Sequence, residues 1–214
     1  MPTASPAEQS PNVDPMYNEW HHQLREGLTP LQNSLVQLFQ ETRLFRIYSS
    51  TLIPGLLQTE GYAAAVLRTV ADFEELPFDD SAEAARARVE RSRVIHEPER
   101  RFVLLVEEAV LYHQLGDTEV MAAQLDYLLT TDALPSVSLG IIPMATRERT
   151  QLPHETFHVY DDNLASVELV SAEVNITQPS EIALYLKAFE QLNSMAVYGA
   201  EARALILKAL EGLH

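Results

Sequence analysis

Residues 154–158 read HETFH, which matches the H-E-x-x-H pattern of zinc proteases. In that pattern both histidines bind one zinc ion and the glutamate activates a water molecule, which requires all three side chains on one helix. Pro153 precedes the segment and β-branched and aromatic residues follow, so we predict a strand over residues 156–161. Histidines four positions apart in a strand are separated by roughly 13 Å. The sequence therefore predicts two strand histidines, with no metal ion and no cofactor.

The consecutive acids Glu107 and Glu108 are a second feature that could do chemistry. They follow directly on the apolar run 102–106, so we expect one carboxylate to be partly buried and to need a cation. An arginine-rich segment offers that cation, and we favour an internal ion pair. The alternative is an acid with a raised pKa that lines a pocket. The arginines concerned are Arg86, Arg88, Arg91 and Arg93.

A third group of side chains, Trp20, His21 and His22, lies near the N-terminus. Consecutive residues of a helix diverge, so the two histidines do not easily bind one metal ion, and a surface or interface role is favoured. If the protein is an enzyme, the acids and this group supply its candidate catalytic residues. They are Glu107, Glu108, Tyr112, His113, Trp20 and His21, and the sequence does not rank them.

The composition excludes several classes of function. The chain has 15 Lys and Arg residues against 31 Asp and Glu residues, a formal net charge of −16 at pH 7. That charge repels phosphate backbones, so we expect no direct nucleic-acid contact. The chain has no cysteine, which excludes disulfides and thiolate chemistry. The N-terminus has no secretory signal and no apolar run reaches membrane-spanning length, so we predict a cytoplasmic protein without membrane contact.

The elements that must position these residues suggest one α+β domain. Four prolines among small polar residues predict a disordered tail over residues 1–16. We predict that residues 17–214 form a single domain, in which helices pack around a small, mostly antiparallel sheet of about four strands. Its parts are a helical region over 17–96, a sheet-containing region over 101–170 and C-terminal helices over 178–213.

Several boundaries follow from local signals. Pro30 fits the first turn of a long helix whose apolar stripe reaches Phe45, and Thr59 is a good N-cap for another helix. Continuous apolar runs predict strands over 101–108 and 137–143. The remaining predictions are a hairpin of residues 156–161 and 165–170 around an Asp-Asp-Asn turn, a helix capped by Asp117 or Thr118, and two last helices separated at Gly199.

The stretch IPGLLQT, residues 53–59, predicts a turn between two helices. Gly55 is expected to adopt a conformation that other residues resist, and Leu57 is expected to fill the core beside Leu56. Gln58 either satisfies buried backbone groups or faces a pocket.

Five runs in this order resemble the C-terminal domain of actinobacterial Xre-type, antitoxin-like transcriptional regulators, over about residues 17–213. They are IPGLLQTEGYAAAVL, RARVERSRVIHE, VEEAVLYHQLGDTEVMAAQLDYLL, LPSVSLGIIP and VELVSAEVNITQPSEIALYLKAFEQLNSMAVYG. In that family the domain, long of unknown function, follows a DNA-binding helix-turn-helix. Here only some sixteen residues precede it, so the resemblance does not imply DNA binding.

The resemblance implies a stand-alone domain that binds a small molecule or a partner protein. We infer this as the function, with a homodimer left open. The alternative is a recruited cofactor-independent enzyme, a cyclase, isomerase or hydrolase of specialised metabolism. Residues that match the family's blocks are the candidates for ligand binding. They are Gln58, Tyr62, Arg88, Arg91, Glu108 and Gln124.

Overall fold

The computed structural model describes residues 16–213, and apart from Met16 the tail expected over residues 1–16 lies outside this range. The strands are β1 Tyr17–Glu19, β2 Leu44–Ser49, β3 Arg101–Glu107, β4 Val137–Ile142, β5 Phe157–Tyr160, β6 Leu164–Glu168 and β7 Ala172–Ile176. The helices are α1 Trp20–Gln23, α2 Leu28–Ser34, α3 Val36–Glu41, α4 Glu60–Phe73, α5 Ser81–Ser92, α6 Thr118–Thr131, α7 Pro179–Asn193 and α8 Gly199–Glu211. Short 3-10 helices span Gly55–Leu57, Arg93–His96 and Glu108–Tyr112.

All the strands named above join one mixed sheet in the order β1-β7-β6-β5-β2-β3-β4. Strands β2, β3 and β4 run parallel, and β5, β6, β7 and β1 continue the sheet in antiparallel pairs. The expectation of about four, mostly antiparallel strands was therefore wrong, because the sheet has seven strands and a parallel half. The class remains α+β. Among residues 16–213, none of the helices combines the length and the apolar character needed to cross a bilayer.

Strand β2 shows why the sheet was underestimated. Its beginning, up to Phe45, was assigned to a long helix from Pro30, but α2 and α3 are short and end before β2 begins. Phe45 and Tyr48 point to opposite faces of the sheet, and both are fully buried. A central strand is apolar on both faces, so it lacks the alternation that distinguishes a strand from a helix in sequence. The other missed strands, β1 and β7, are short and form one edge of the sheet.

The two faces of the sheet carry different helices. One face, which we call face A, packs Phe45, Phe102 and Leu139 against α4, α6 and α8. The other, face B, packs Tyr48, Phe157 and their neighbours against α7. Both cores bury large apolar side chains almost completely, so the parallel half of the sheet forms a rigid centre for the domain.

Several local predictions are confirmed. The Thr59 hydroxyl accepts a hydrogen bond from the backbone N–H of Tyr62 and caps α4, and Asp117 caps α6 in the same way through Val120 N–H. The hairpin of β5 and β6 turns at residues 161–163, as the Asp-Asp-Asn sequence indicates.

Helix α2 is fixed to α5 by a contact that the sequence did not reveal. The Asp80 carboxylate accepts hydrogen bonds from Leu28 N–H at 3.1 Å and Thr29 N–H at 2.8 Å, the first free donors of α2. Gly27 precedes them with φ at 101°, and a Cβ there would lie 2.9 Å from Asp80 Oδ2. This junction holds Gln32 of α2 against the arginines of α5.

Candidate ligand-binding site

The corner at residues 53–59 is held by side-chain amides. Gln58 is buried, and its Nε2 donates to the carbonyl of Ile53 over 2.7 Å. Gln124, on α6, donates from Nε2 to the carbonyl of Leu57 over 2.7 Å, and its Oε1 accepts from Thr59 N–H over 2.8 Å. These bonds satisfy buried backbone groups, which is one of the two roles predicted for Gln58.

Gln58 also contacts an arginine, which the sequence did not predict. Arg88 donates from Nη1 to Gln58 Oε1 over 2.9 Å and from Nε to Gln32 Oε1 over 3.0 Å. Arg91, three positions along the same face of α5, donates from Nη1 to the carbonyl of Gln32 over 2.6 Å. Its guanidinium carbon lies 4.6 Å from the ring centroid of Phe39, a cation–π contact. Arg88 and Arg91 are therefore bound by neutral groups.

Neither arginine has an acidic partner. In the part of the chain that the structure describes, Arg88 and Arg91 form no ion pair, although Arg46, Arg68, Arg86, Arg93, Arg100, Arg149 and Arg203 do. Arg91 is 9% exposed, and its Nε is buried without a hydrogen-bond acceptor. Two cationic groups thus lie near each other with unused donors.

Strand β5 brings a histidine and a tyrosine to the same place. His158 Nδ1 lies 3.1 Å from the hydroxyl of Tyr160, and both side chains belong to face A. The charges of Arg88 and Arg91 act on His158, and Arg91 acts on Tyr160. We use the name arginine recess for the site formed by Arg88, Arg91, Gln32, Gln58, His158 and Tyr160.

The pKa values within the arginine recess reflect dehydration. Burial, and to a smaller extent the like charge of Arg88, lowers the pKa of Arg91 to about 10. Burial also lowers the pKa values of Arg88 and His158 and raises that of Tyr160. Arg88 and His158 nevertheless keep part of their surface accessible to solvent. Arg88 and His158 are therefore largely dehydrated but still partly accessible to a ligand from solvent.

The wall of the recess formed by the antiparallel strands is polar. In register with His158 on face A lie Ser166 of β6 and Asn175 of β7. The Glu173 carboxylate accepts hydrogen bonds from both, at 2.9 Å from Ser166 Oγ and 3.0 Å from Asn175 Nδ2. Glu168, at the exposed end of β6, acts electrostatically on Arg88 and His158 without contacting either arginine. Face A therefore changes from an apolar core under α4 and α6 to a hydrogen-bonding surface beside α5.

The predicted ligand-binding residues do not all lie in one site. Gln58, Arg88 and Arg91 meet in the arginine recess, and Gln124 supports the corner that presents Gln58. Tyr62 is fully buried, and its hydroxyl accepts from Ile53 N–H over 3.5 Å, so it belongs to the scaffold. Glu108 lies elsewhere. Its carboxylate accepts from Met144 N–H over 2.8 Å, and one oxygen lies 3.7 Å from Lys208 Nζ.

The prediction that Glu107 or Glu108 forms an ion pair with the arginine-rich segment was wrong. Glu107 points to face B, where it binds Arg149 and accepts a hydrogen bond from the Tyr48 hydroxyl over 2.9 Å. Adjacent positions on a strand point to opposite faces, and Arg149, from the loop after β4, reaches Glu107 on face B. Arg86 of α5 and Arg93, the first residue of the following 3-10 helix, are exposed and bind Glu83 and Glu90 of α5.

The candidate catalytic residues do not converge on one site. Trp20 donates from its indole nitrogen to the Leu169 carbonyl at the β1 edge, and His22 lies 3.3 Å from Glu19. The His113 ring contacts the Thr51 carbonyl at 2.9 Å in an exposed position, and Tyr112 is 40% exposed. His21 contacts His22, with ring centroids 5.8 Å apart.

The HETFH segment does not form a helix. His158 lies within β5, as predicted, but His154 precedes the strand, so the prediction of two strand histidines was wrong for His154. Among the described side chains, no three histidine, cysteine, aspartate or glutamate residues come together in a way that could hold a metal ion.

Sequence reasoning missed Gln32, His158 and Tyr160 as parts of this site. His158 and Tyr160 had one usable signal, because polar groups at alternate positions on a strand share a face. Gln32 had none, since its place depends on the Asp80 cap that docks α2 on α5.

Comparison with known proteins identifies the family. Residues 32–208 match the family described as a domain of unknown function, DUF5753. The chain belongs to the DUF5753 family. No curated protein matches the chain.

Three solved structures show distant likeness to this DUF5753 chain. NucT from Helicobacter pylori has 10% identity and a TM-score of 0.45, over 86% of this chain and 97% of that one. Nuc, a phospholipase D family member from Salmonella typhimurium, has 9% identity and a TM-score of 0.43, over 78% and 90%. TrmBL2, an archaeal chromatin protein, has 11% identity and a TM-score of 0.38, over 79% of this chain and 51% of that one. Scores this low carry no argument about function.

Proposed function

We propose that this DUF5753 chain is a ligand-binding domain, and that its arginine recess holds the anionic group of a small molecule, a carboxylate or a phosphate. One observation carries the proposal: Arg88 and Arg91 are enclosed together without an acidic partner among residues 16–213. An anion is the group that would complete their hydrogen bonding.

The energetic argument rests on dehydration. Burying a charge costs several kcal/mol unless it is paired, and a like charge nearby adds to that cost. The amide oxygens of Gln32 and Gln58 and the ring of Phe39 offset part of it. An anion between the guanidinium groups would add charge-assisted bonds, which are about twice as strong as neutral ones.

The rest of the recess favours a polar ligand. Tyr160, His158 and Ser166 offer groups that can donate or accept, in place of an apolar wall. Hydroxyl or amide groups of the ligand would find partners there, while its anionic group contacts α5. The family match and the sequence resemblance are compatible with a domain derived from an Xre-type regulator, which would act through a ligand or a partner protein without contacting DNA.

The test is a thermal-stability titration with inorganic phosphate, acetate, succinate and benzoate, each against chloride at equal ionic strength. At least one anion should raise the melting temperature saturably at about 10 mM, because a ligand that binds only the folded state stabilises it. Arg88→Met and Arg91→Met should abolish that increase. In chloride, Arg88→Met should change the unfolding free energy by no more than about 1 kcal/mol, because the lost amide bonds are offset by removing a dehydrated charge.

Arg86→Met and Arg93→Met are matched controls, since they remove arginines from the exposed side of the same region. Both should keep the full response to the anion. Comparing phosphate with the three carboxylates distinguishes the two classes of ligand. The proposal fails if none of the four anions stabilises the protein, or if the control variants lose the response as Arg88→Met does.

The enzymatic alternative has no comparable observation in its favour. Its candidates are dispersed between the β1 edge and the end of β3. It stays a prediction from the sequence, as does the homodimer.

A further inference from the structure

A second site lies on face B, away from the arginine recess. A cavity of about 300 Å³ opens between the sheet and α7. Its walls include the rings of Tyr48, Phe157 and Tyr185, with centroids 5.6 Å apart for the first two and 5.1 Å apart for the last two. Small-molecule sites have volumes of about 300–1,000 Å³, so this cavity suits a compact ligand. We call it the tyrosine pocket.

The charged groups of the tyrosine pocket are acidic. Glu155 precedes β5 and accepts a hydrogen bond from the Tyr185 hydroxyl over 3.0 Å, and Glu181 lies in the first turn of α7. His154 completes the set of titratable side chains apart from the tyrosines, and no lysine or arginine of residues 16–213 lines the cavity. Burial and the charges of Glu155 and Glu181 raise the pKa of Tyr185 to about 12. The charges of Glu155 and Glu181 therefore act on Tyr185, whose ring forms part of the cavity wall.

The mouth of the pocket exposes apolar surface. Leu152 and Leu184 line the cavity, and each is 60% exposed. Two large, exposed aliphatic side chains that line a cavity with aromatic walls indicate that an apolar group covers them when the site is filled. Carboxylates beside aromatic faces favour a cation, because both attract positive charge.

We propose that the tyrosine pocket binds a small organic cation, an amine whose ammonium group lies between Glu155 and Glu181 and whose apolar body covers Leu152 and Leu184. The pocket is chemically opposite to the arginine recess and lies across the sheet from it. The two sites therefore bind different groups, and neither depends on the other.

Three probes of similar shape test the charge preference: 2-phenylethylammonium, the neutral 2-phenylethanol and the anion 3-phenylpropanoate. Each is titrated to about 10 mM into the ¹⁵N-labelled protein and followed by amide chemical shifts. The ammonium should cause saturable shifts at residues 152–157 and 181–188, and the alcohol and the acid should bind at least about tenfold more weakly. The double variant Glu155→Gln and Glu181→Gln should weaken binding of the ammonium by about tenfold and leave binding of the alcohol unchanged.

Glu190→Gln is the matched control, because Glu190 is exposed on α7 and does not line the cavity. It should bind the ammonium as the unmodified protein does. Equal binding of the alcohol and the ammonium, shifts that map outside the pocket, or no saturable shift with the ammonium would each overturn the proposal.

Discussion

Arg88 donates a hydrogen bond from Nη1 to the Oε1 of Gln58 over 2.9 Å, which joins the cation of α5 to the corner before α4. The same Gln58 side chain closes that corner through the carbonyl of Ile53. One amide therefore connects the backbone turn with the proposed ligand site. A change at Gln58 can affect folding, anion binding or both, and two substitutions separate these effects.

Gln58→Glu should weaken anion binding by about tenfold or more, because its carboxylate would pair with Arg88 and compete with the ligand. Gln58→Ala should leave the anion affinity within about threefold but cost about 1–3 kcal/mol of stability, since the carbonyl of Ile53 loses its donor. Denaturant unfolding and anion titration of both variants provide the two measurements. If the two variants weaken anion binding equally, the proposed competition between the new carboxylate of Gln58→Glu and the anion is wrong.

Two glycines provide a test of backbone strain. Gly27→Ala should destabilise the protein by about 1–3 kcal/mol, because its φ is 101° and the new Cβ would lie 2.9 Å from Asp80 Oδ2. Gly55→Ala should change stability by less than about 1 kcal/mol, since its Cβ would meet only Arg88 Cδ at 3.8 Å. This replaces the sequence-based expectation that Gly55 needs a special conformation. Thermal melts of the two variants, side by side, decide whether the strain lies at Gly27.

Leu57→Ala should cost about 2–5 kcal/mol, because the side chain is fully buried in the core beneath face A. Chemical denaturation measures the loss. Leu152→Ala is the control, because Leu152 is largely exposed and its truncation should change the unfolding free energy by less than about 0.5 kcal/mol. Similar losses for the two variants would contradict the assignment of Leu57 to the core.

The elements that sequence predicted well are those marked by local chemistry. Thr59 and Asp117 are side chains that cap helices directly, and the Asp-Asp-Asn turn acts over a few residues. Strand β2 was missed because its environment is decided by β3 and β5, which are distant in sequence. Phe45 fitted the helical period of the residues before it, and only tertiary pairing resolves that ambiguity.

The candidate site was also predicted only in part from the sequence. Gln58, Arg88 and Arg91 were selected from sequence because they belong to blocks shared with a family, and the structure brings them together. The partner assigned to the arginines was wrong, since Glu107 faces the other side of the sheet. Which face a residue at a strand end reaches depends on register, and sequence alone did not supply it.

The loop after β4 depends on one buried contact. Arg149→Gln should destabilise the protein by about 1–3 kcal/mol, because the Glu107 carboxylate would be left with Tyr48 as its remaining side-chain donor. Amide exchange in residues 143–156 should accelerate, since this ion pair helps to fix the loop on the sheet. Arg147→Gln is the control, because Arg147 is exposed. Equal exchange rates in the two variants would show that the contact does not hold the loop.

His158 provides a pH-dependent test of the arginine recess. Burial lowers its pKa, Arg91 and Arg88 lower it further, and Glu168 opposes them. The folded protein therefore binds fewer protons at this site than the unfolded chain does, between the lowered pKa and the ordinary value of about 6.5. The associated stability is present above about pH 6.5 and is lost as the pH falls towards the lowered pKa. His158→Gln should lose less stability than the unmodified protein between about pH 7.5 and 5.5.

An anion in the recess should reverse part of this shift. Its negative charge would offset Arg88 and Arg91 and so raise the pKa of His158, which means that binding takes up protons and strengthens as the pH falls below about 6.5. NMR titration of the imidazole, with and without the anion that stabilises the protein most, measures both pKa values directly. The chemical shifts of His154, which lies outside the arginine recess, should not respond to the anion. A His158 pKa at or above about 6.5 without the anion, or one that the anion does not move, would contradict the placement of the imidazole beside the two arginines.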